Sequence, residues 1–250
     1  MPPRSLSVTN ALIGLCIAVF VLGLFLQAPA IFSVPIPAEY NNTVGAPNTP
    51  LPEIYGSFSY FSAVMQGEWW RFLSYQFVHA NLGHLIFNMW ALYFFGPAVE
   101  RVFGAKKFLL YYLICGIAGA VFSTALAQYD IYSTLAAAPA TNHLCNMLAQ
   151  LSGCEAPVSP WMMVPLVGAS ASIYGVLIAT AFLYPDVRVQ LLFPPVVLKL
   201  RTFALGVIAF AVFIIVFNLS NAGGEAGHLG GIVMGTIIML CYRLSHRQTL

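Results

Sequence analysis

Charge is too scarce in this chain to coat a water-soluble globule. Only 7% of its 250 residues are charged and 60% are apolar, against roughly 25% charged in an ordinary soluble domain. Lipid is therefore the solvent the sequence calls for. Six apolar segments can be drawn, at about 10–32, 72–97, 106–128, 162–184, 201–221 and 225–243. Each is close to the roughly 20 residues that cross a hydrocarbon layer as a helix. The expectation is an all-α, polytopic membrane protein in which residues 1–250 form a single domain of six transmembrane helices. The first run is too long for a cleaved signal and reads as a retained helix. A net charge of +2 gives no reason to expect nucleic acid.

The loops carry the topology. Arg4, Arg101, Lys106, Lys107, Arg188, Lys199, Arg201, Arg243 and Arg247 all fall on one side of a six-span arrangement, and only Arg71 on the other. Basic residues stay cytoplasmic, so both termini are expected inside, with loops 33–70 and 128–160 outside. Glu68-Trp69-Trp70-Arg71 has the composition of the interfacial belt. Cys16, Cys115 and Cys241 fall in apolar runs and read as small hydrophobes. Cys145 and Cys154 lie in the second outer loop, where an oxidising compartment permits a disulfide.

Two polar spots interrupt the apolar runs. The fourth segment contains Gly168-Ala169-Ser170-Ala171-Ser172-Ile173-Tyr174-Gly175, and the sixth contains Gly227-His228-Leu229-Gly230-Gly231. A lone serine in such a helix usually bonds back to its own backbone or packs at an interface. Ser170, however, follows Pro165, and a proline suits the first turn of a helix. A helix starting near 165–168 would bring free N–H groups and a positive dipole end beside Ser170. Ser172 lies about 200° further round on the face of Gly168 and Gly175, and is assigned to packing. His228 is an ionisable group within the membrane, which normally faces a cavity or the bundle interior. Gly227, Gly231 and Gly235 recur every fourth residue beside it, the spacing for close helix approach. Both spots fall in the outer portions of segments that run the same way, so their depths can match. Glu225 is the nearest carboxylate and is read as a rim residue, which leaves a serine–histidine dyad rather than a triad. In the second segment His84 and Asn88 share a face and can both donate toward a charged oxygen. A metal held by His79, His84 and His228 is the rival arrangement, but zinc sites of this kind want i, i+4 histidines and a carboxylate.

Together these features closely resemble the rhomboid intramembrane serine proteases. The resemblance rests on Trp70-Arg71, on His79, His84 and Asn88, on Glu100-Arg101 with Gly104, on Gly168-Ala169-Ser170, and on Gly227-His228-Leu229-Gly230-Gly231. It covers about 160 residues in the family's order, and its motifs are specific only jointly. It implies a rhomboid-like six-helix bundle, Ser170 as nucleophile and His228 as base. It further implies His84 and Asn88 as oxyanion support, and Tyr174 packed on the histidine ring with Gly231 as a packing residue. Ala171 departs from the glycine that often follows the serine, which bears on local packing. The loop holding Cys145 and Cys154 exceeds the family minimum.

The resulting reading is an endopeptidase that cuts transmembrane segments of other membrane proteins near their outer end, in a bacterial inner membrane. Its partners are transmembrane protein substrates and the bilayer. It needs no cofactor and no metal. One rival is a catalytically silent relative that only binds membrane proteins, against which both Ser170 and His228 stand. A transporter, the other rival, would be expected to show repeats or paired broken helices, and the sequence has none.

Overall fold

The computed structural model describes residues 7–27, 49–128, 165–191, 195–217 and 222–246. The expected Cys145–Cys154 pair lies outside the described residues. The fold is all-α apart from one small hairpin. It runs α1 (Val8–Phe25), α2 (Leu51–Gly56), a π-helical turn at Phe61–Met65, α3 (Arg71–Ser74), a 3-10 turn at Tyr75–Phe77, α4 (Leu82–Phe103) and α5 (Ala105–Gln128). It continues through α6 (Ser170–Leu183), β1 (Arg188–Gln190), β2 (Val197–Lys199), α7 (Leu200–Val216) and α8 (Ala222–His246). Four helices among the described residues are long and apolar enough to cross a membrane, and α6 and α7 are shorter apolar helices. The outer faces are apolar as well: Phe25, Leu205, Phe210 and Phe213 are exposed. Such a surface belongs in lipid, and the chain is an integral membrane protein.

Three helix ends have a clear local cause. Asn81 caps α4 by accepting the His84 N–H at 2.8 Å, as N-cap side chains do. The second apolar segment therefore breaks, because α4 begins at Leu82 and not near residue 72. Residues 71–77 form their own short turns, and His79 lies in the extended link between them and α4. Gly104 at φ 76° ends α4, in a region L side chains avoid. Near that end Glu100 caps α1 across the bundle. Its carboxylate accepts the backbone N–H groups of Val8 at 2.6 Å and Thr9 at 2.9 Å, and the Thr9 hydroxyl. A carboxylate at a helix N-terminus is favoured by both the free donors and the dipole.

Helix α6 is the central element, with ten of its 14 residues buried. Its neighbours approach through small residues. A methyl placed on Gly235 would meet Gly175 Cα at 3.0 Å, and one on Gly230 would meet Gly119 Cα at 2.8 Å. These are the contacts by which the backbone of α8 comes close to those of α6 and α5. The β1–β2 hairpin joins α6 to α7, with Arg188 opposite Lys199 and Gln190 opposite Val197. There Lys199, followed by Arg201, holds the exposed Asp186 carboxyl below the usual carboxylate range.

The segment 49–81 packs against α1, α5 and α6. Buried Arg71 organises it, donating to Glu68 at 2.5 Å, to the Ile54 carbonyl at 2.9 Å and to the Ser57 carbonyl at 2.7 Å. A buried guanidinium is tolerated only when its donors are satisfied in this way. Trp69 and Trp70 remain exposed, as interfacial tryptophans do.

Candidate active site

Ser170 is the first residue of α6, with Ala169 as its N-cap and no side-chain cap bond. The Ile173 N–H is the first to bond back, to the Ala169 carbonyl at 3.0 Å. The N–H groups of the opening turn ahead of it have no partner within the helix. The helix thus starts slightly later than Pro165–Gly168, with the serine itself at the positive end of the dipole.

The approach to Ser170 is held from outside its own helix. Leu166 exchanges two backbone hydrogen bonds with Phe58, at 2.9 and 2.6 Å, and the Gly168 N–H donates to the Tyr75 carbonyl at 2.9 Å. Gly168 sits at φ 115°, and a methyl there would meet His84 Cε1 at 2.6 Å and Nε2 at 2.7 Å. Only glycine satisfies both demands. The His84 imidazole is thereby set against the backbone that leads into Ser170.

His228 faces Ser170 from the first half of α8, with Nε2 2.8 Å from Oγ. Tyr174, one turn after the serine, stacks on the imidazole with centroids 4.2 Å apart and planes 11° from parallel. The other ring nitrogen, Nδ1, is 2.9 Å from the Glu225 carboxylate. This corrects the assignment of Glu225 to the rim. Helix α8 begins at Ala222, earlier than the apolar run, so Glu225 lies inside the first turn and shares a face with His228 at i, i+3. Its side chain is only 9% exposed.

A cavity of about 330 Å³ opens over this group, lined among others by Tyr75, His84, Asn88, Ser170, Tyr174 and His228. Asn88 is buried in its wall, and its Nδ2 donates to the His84 carbonyl at 2.8 Å. An amide nitrogen carries two hydrogens, so one donor remains for the cavity. Gly231 meets α6 at Ala171, next to the serine. Ser172 points away from the cavity, fully buried, and donates to Gln76 Oε1 at 3.0 Å. His79 packs edge-on to His84 at 5.2 Å, and its buried ring nitrogens have no hydrogen-bond partner among the described residues. No group of three or more His, Cys, Asp or Glu side chains among the described residues is placed to hold a metal ion.

Two contributors leave no mark in the sequence, and a third is visible there but misplaced. Tyr75 and Leu166 act through backbone carbonyl and amide contacts, which leave no side-chain signature. Glu225 carries one, an acid three residues before a histidine, but as the first residue of the apolar run it reads as rim, whereas the helix begins a turn earlier at Ala222.

An all-α integral membrane protein with a serine and a histidine in hydrogen-bond contact at an open cavity is the class that fold and geometry define. The Rhomboid domain model matches residues 66–245. The chain belongs to the rhomboid family. It is 30% identical over 175 residues to Rhomboid protease GluP of Bacillus subtilis (strain 168), covering 70% of this chain and 26% of that protein. It is 26% identical over 242 residues to Rhomboid protease AarA of Providencia stuartii, covering 96% of this chain and 74% of that protein. RHOMBOID-like protein 12, mitochondrial, of Arabidopsis thaliana is 31% identical over 163 residues, covering 64% of this chain and 43% of that one.

Proposed function

We propose that the chain is a serine-type intramembrane endopeptidase, a single membrane-embedded domain that cuts transmembrane segments of other proteins near their outer end. The observation that carries this reading is the 2.8 Å contact between Ser170 Oγ and His228 Nε2 at the cavity. Ser170 Oγ attacks the peptide carbonyl carbon while its proton passes to His228 Nε2. The C–N bond then breaks, and the imidazolium returns that proton to the leaving amine. A water deprotonated by the same imidazole opens the ester, giving the acid and the free serine. The oxygen that gains charge is met by N–H groups at the start of α6 and by His84 and Asn88. Helical substrates must unwind locally first, because their peptide bonds are hidden in their own hydrogen bonds. The test is incubation of the purified protein, in liposomes, with a panel of single-span substrates beside Ser170→Ala. Cleavage by the wild type alone supports the reading, and equal cleavage by both overturns it.

Asn88→Ala should lower kcat by at most about 10²-fold, the low end for one lost oxyanion donor, because the α6 backbone and His84 remain. KM should barely change, as for an interaction made mainly in the transition state. Steady-state kinetics on one substrate check this. A rise in KM alone would make Asn88 a substrate-binding or structural residue.

The basic residues support an orientation with both termini cytoplasmic and the cavity toward the outer side, in a bacterial inner membrane. Tyr55 and Val197 are exposed at opposite ends of this arrangement. Tyr55→Cys should react with an impermeant maleimide in intact cells, and Val197→Cys only after permeabilisation. The reverse pattern would invert the topology.

A further inference from the structure

Glu225 is a carboxylate that this fold did not have to bury. It sits in the first turn of α8, 7% exposed, where its carboxylate meets His228 Nδ1 at 2.9 Å. Burying a carboxylate is costly unless it is paired and hydrogen-bonded. Two things compensate here: the N-terminal turn of α8, whose free N–H groups and dipole favour an anion, and the imidazole N–H itself.

The structural alternative is an acid that merely stabilises the start of its own helix. Such an acid needs no contact with the histidine, and an exposed first-turn position serves it equally well. The observed side chain instead lies on the His228 face and ends on the one ring nitrogen that the serine does not use. From the other elements around the ring come Ser170 and Tyr174 of α6, which touch it, and His84 of α4, which lines the same cavity. None of these is an anion at neutral pH. Glu225 is therefore the sole carboxylate, among the described residues, in contact with the imidazole.

Resting on the protease reading, we infer that Glu225 is a positioning residue that completes a Ser170–His228–Glu225 relay. A carboxylate accepts and cannot donate when ionised. It therefore fixes the imidazole proton on Nδ1 and leaves the Nε2 lone pair aimed at the Ser170 hydroxyl. When Nε2 takes the serine proton, the same carboxylate lies against the new positive charge. It never needs to become protonated, as in the serine–histidine–aspartate arrangement. Tyr174 constrains the plane of the ring but cannot choose between its tautomers, so the two supports divide the work.

Three measurements on the full-length protein in liposomes test this. Glu225→Gln and Glu225→Ala should lower kcat at least about 10-fold with KM unchanged. That is milder than the ~10⁴-fold loss when a triad aspartate is amidated, because Tyr174 still holds the ring. Both should slow covalent labelling of Ser170 by a fluorophosphonate to a similar degree, and Glu225→Asp should recover part of the rate. Nitrogen-15 NMR of the His228 ring should report the Nδ1–H tautomer in the wild type and a shift toward Nε2–H in Glu225→Ala. Wild-type kcat and labelling rate in all variants would overturn the inference. So would losses of kcat matched by a lower melting temperature with no recovery in Glu225→Asp, the behaviour of a purely structural acid. The tautomer readout needs no turnover. An inactive wild type whose tautomer still responds to Glu225 would sink the protease reading and leave the positioning role standing. An unchanged tautomer in an active enzyme would do the opposite.

Discussion

Ser170→Ala is expected to abolish cleavage while leaving the fold intact. The serine is only partly buried at the opening of α6, and its hydroxyl points at His228 beside the cavity. Removing one oxygen there creates no cavity in the core. The loss should be on the order of 10⁶ in kcat, the scale seen when the nucleophile of a serine hydrolase is removed. His228→Ala should be equally inactive, and the double variant no worse than either single one, because the two side chains act as a unit. Ser172→Ala is the control that separates chemistry from packing. It loses the 3.0 Å bond to the buried Gln76, which costs about 1–3 kcal/mol in stability because the acceptor is left unpaired, and should keep most of its activity. Gel-based cleavage assays and thermal melting of the four variants check this.

Gly231→Ala should have the next largest effect, through geometry alone. A methyl at this position would run into the Ala171 carbonyl and approach Ala171 Cα to 3.2 Å. Backbone cannot yield as the end of a side chain can, so α8 must move off α6. Overpacking of this kind costs about 1–3 kcal/mol. The activity cost should be larger in proportion, because α8 carries His228 and α6 carries Ser170. A misplacement near 1 Å can cost about 10²-fold. The expected result is a loss of at least that factor in kcat with a modest fall in melting temperature. Gly206→Ala is the matching control, since nothing lies within 4 Å of a methyl there. If Gly231→Ala melted lower but turned over normally, the close crossing of α6 and α8 would not be what sets the Ser170–His228 distance.

The apolar runs made the membrane class and the helical build legible, because lipid demands them over whole segments. Boundaries were less legible: the second apolar segment stops near 97, whereas the helix runs on to Phe103, where Gly104 ends it. The break at 78–81 was not legible, since Asn81 is one polar residue among many until its side chain is seen to accept the His84 N–H. Proximity of Ser170 and His228 could be argued only from matched depth and small-residue spacing. Their contact depends on Gly231 and Gly235 meeting Ala171 and Gly175, a pairing of two helices that no single segment encodes. Glu225 was misread for a related reason. Hydropathy marks where lipid contact begins, whereas a helix can start earlier, in residues that protein covers.

Fluorophosphonate labelling followed by peptide mapping tests the central claim most directly, because it reads the nucleophile without needing the physiological substrate. The wild-type protein in liposomes should carry the phosphonyl group on Ser170, and His228→Ala should carry almost none. Label on Ser172, or equal labelling of Ser170 with and without the His228 imidazole, would contradict the account.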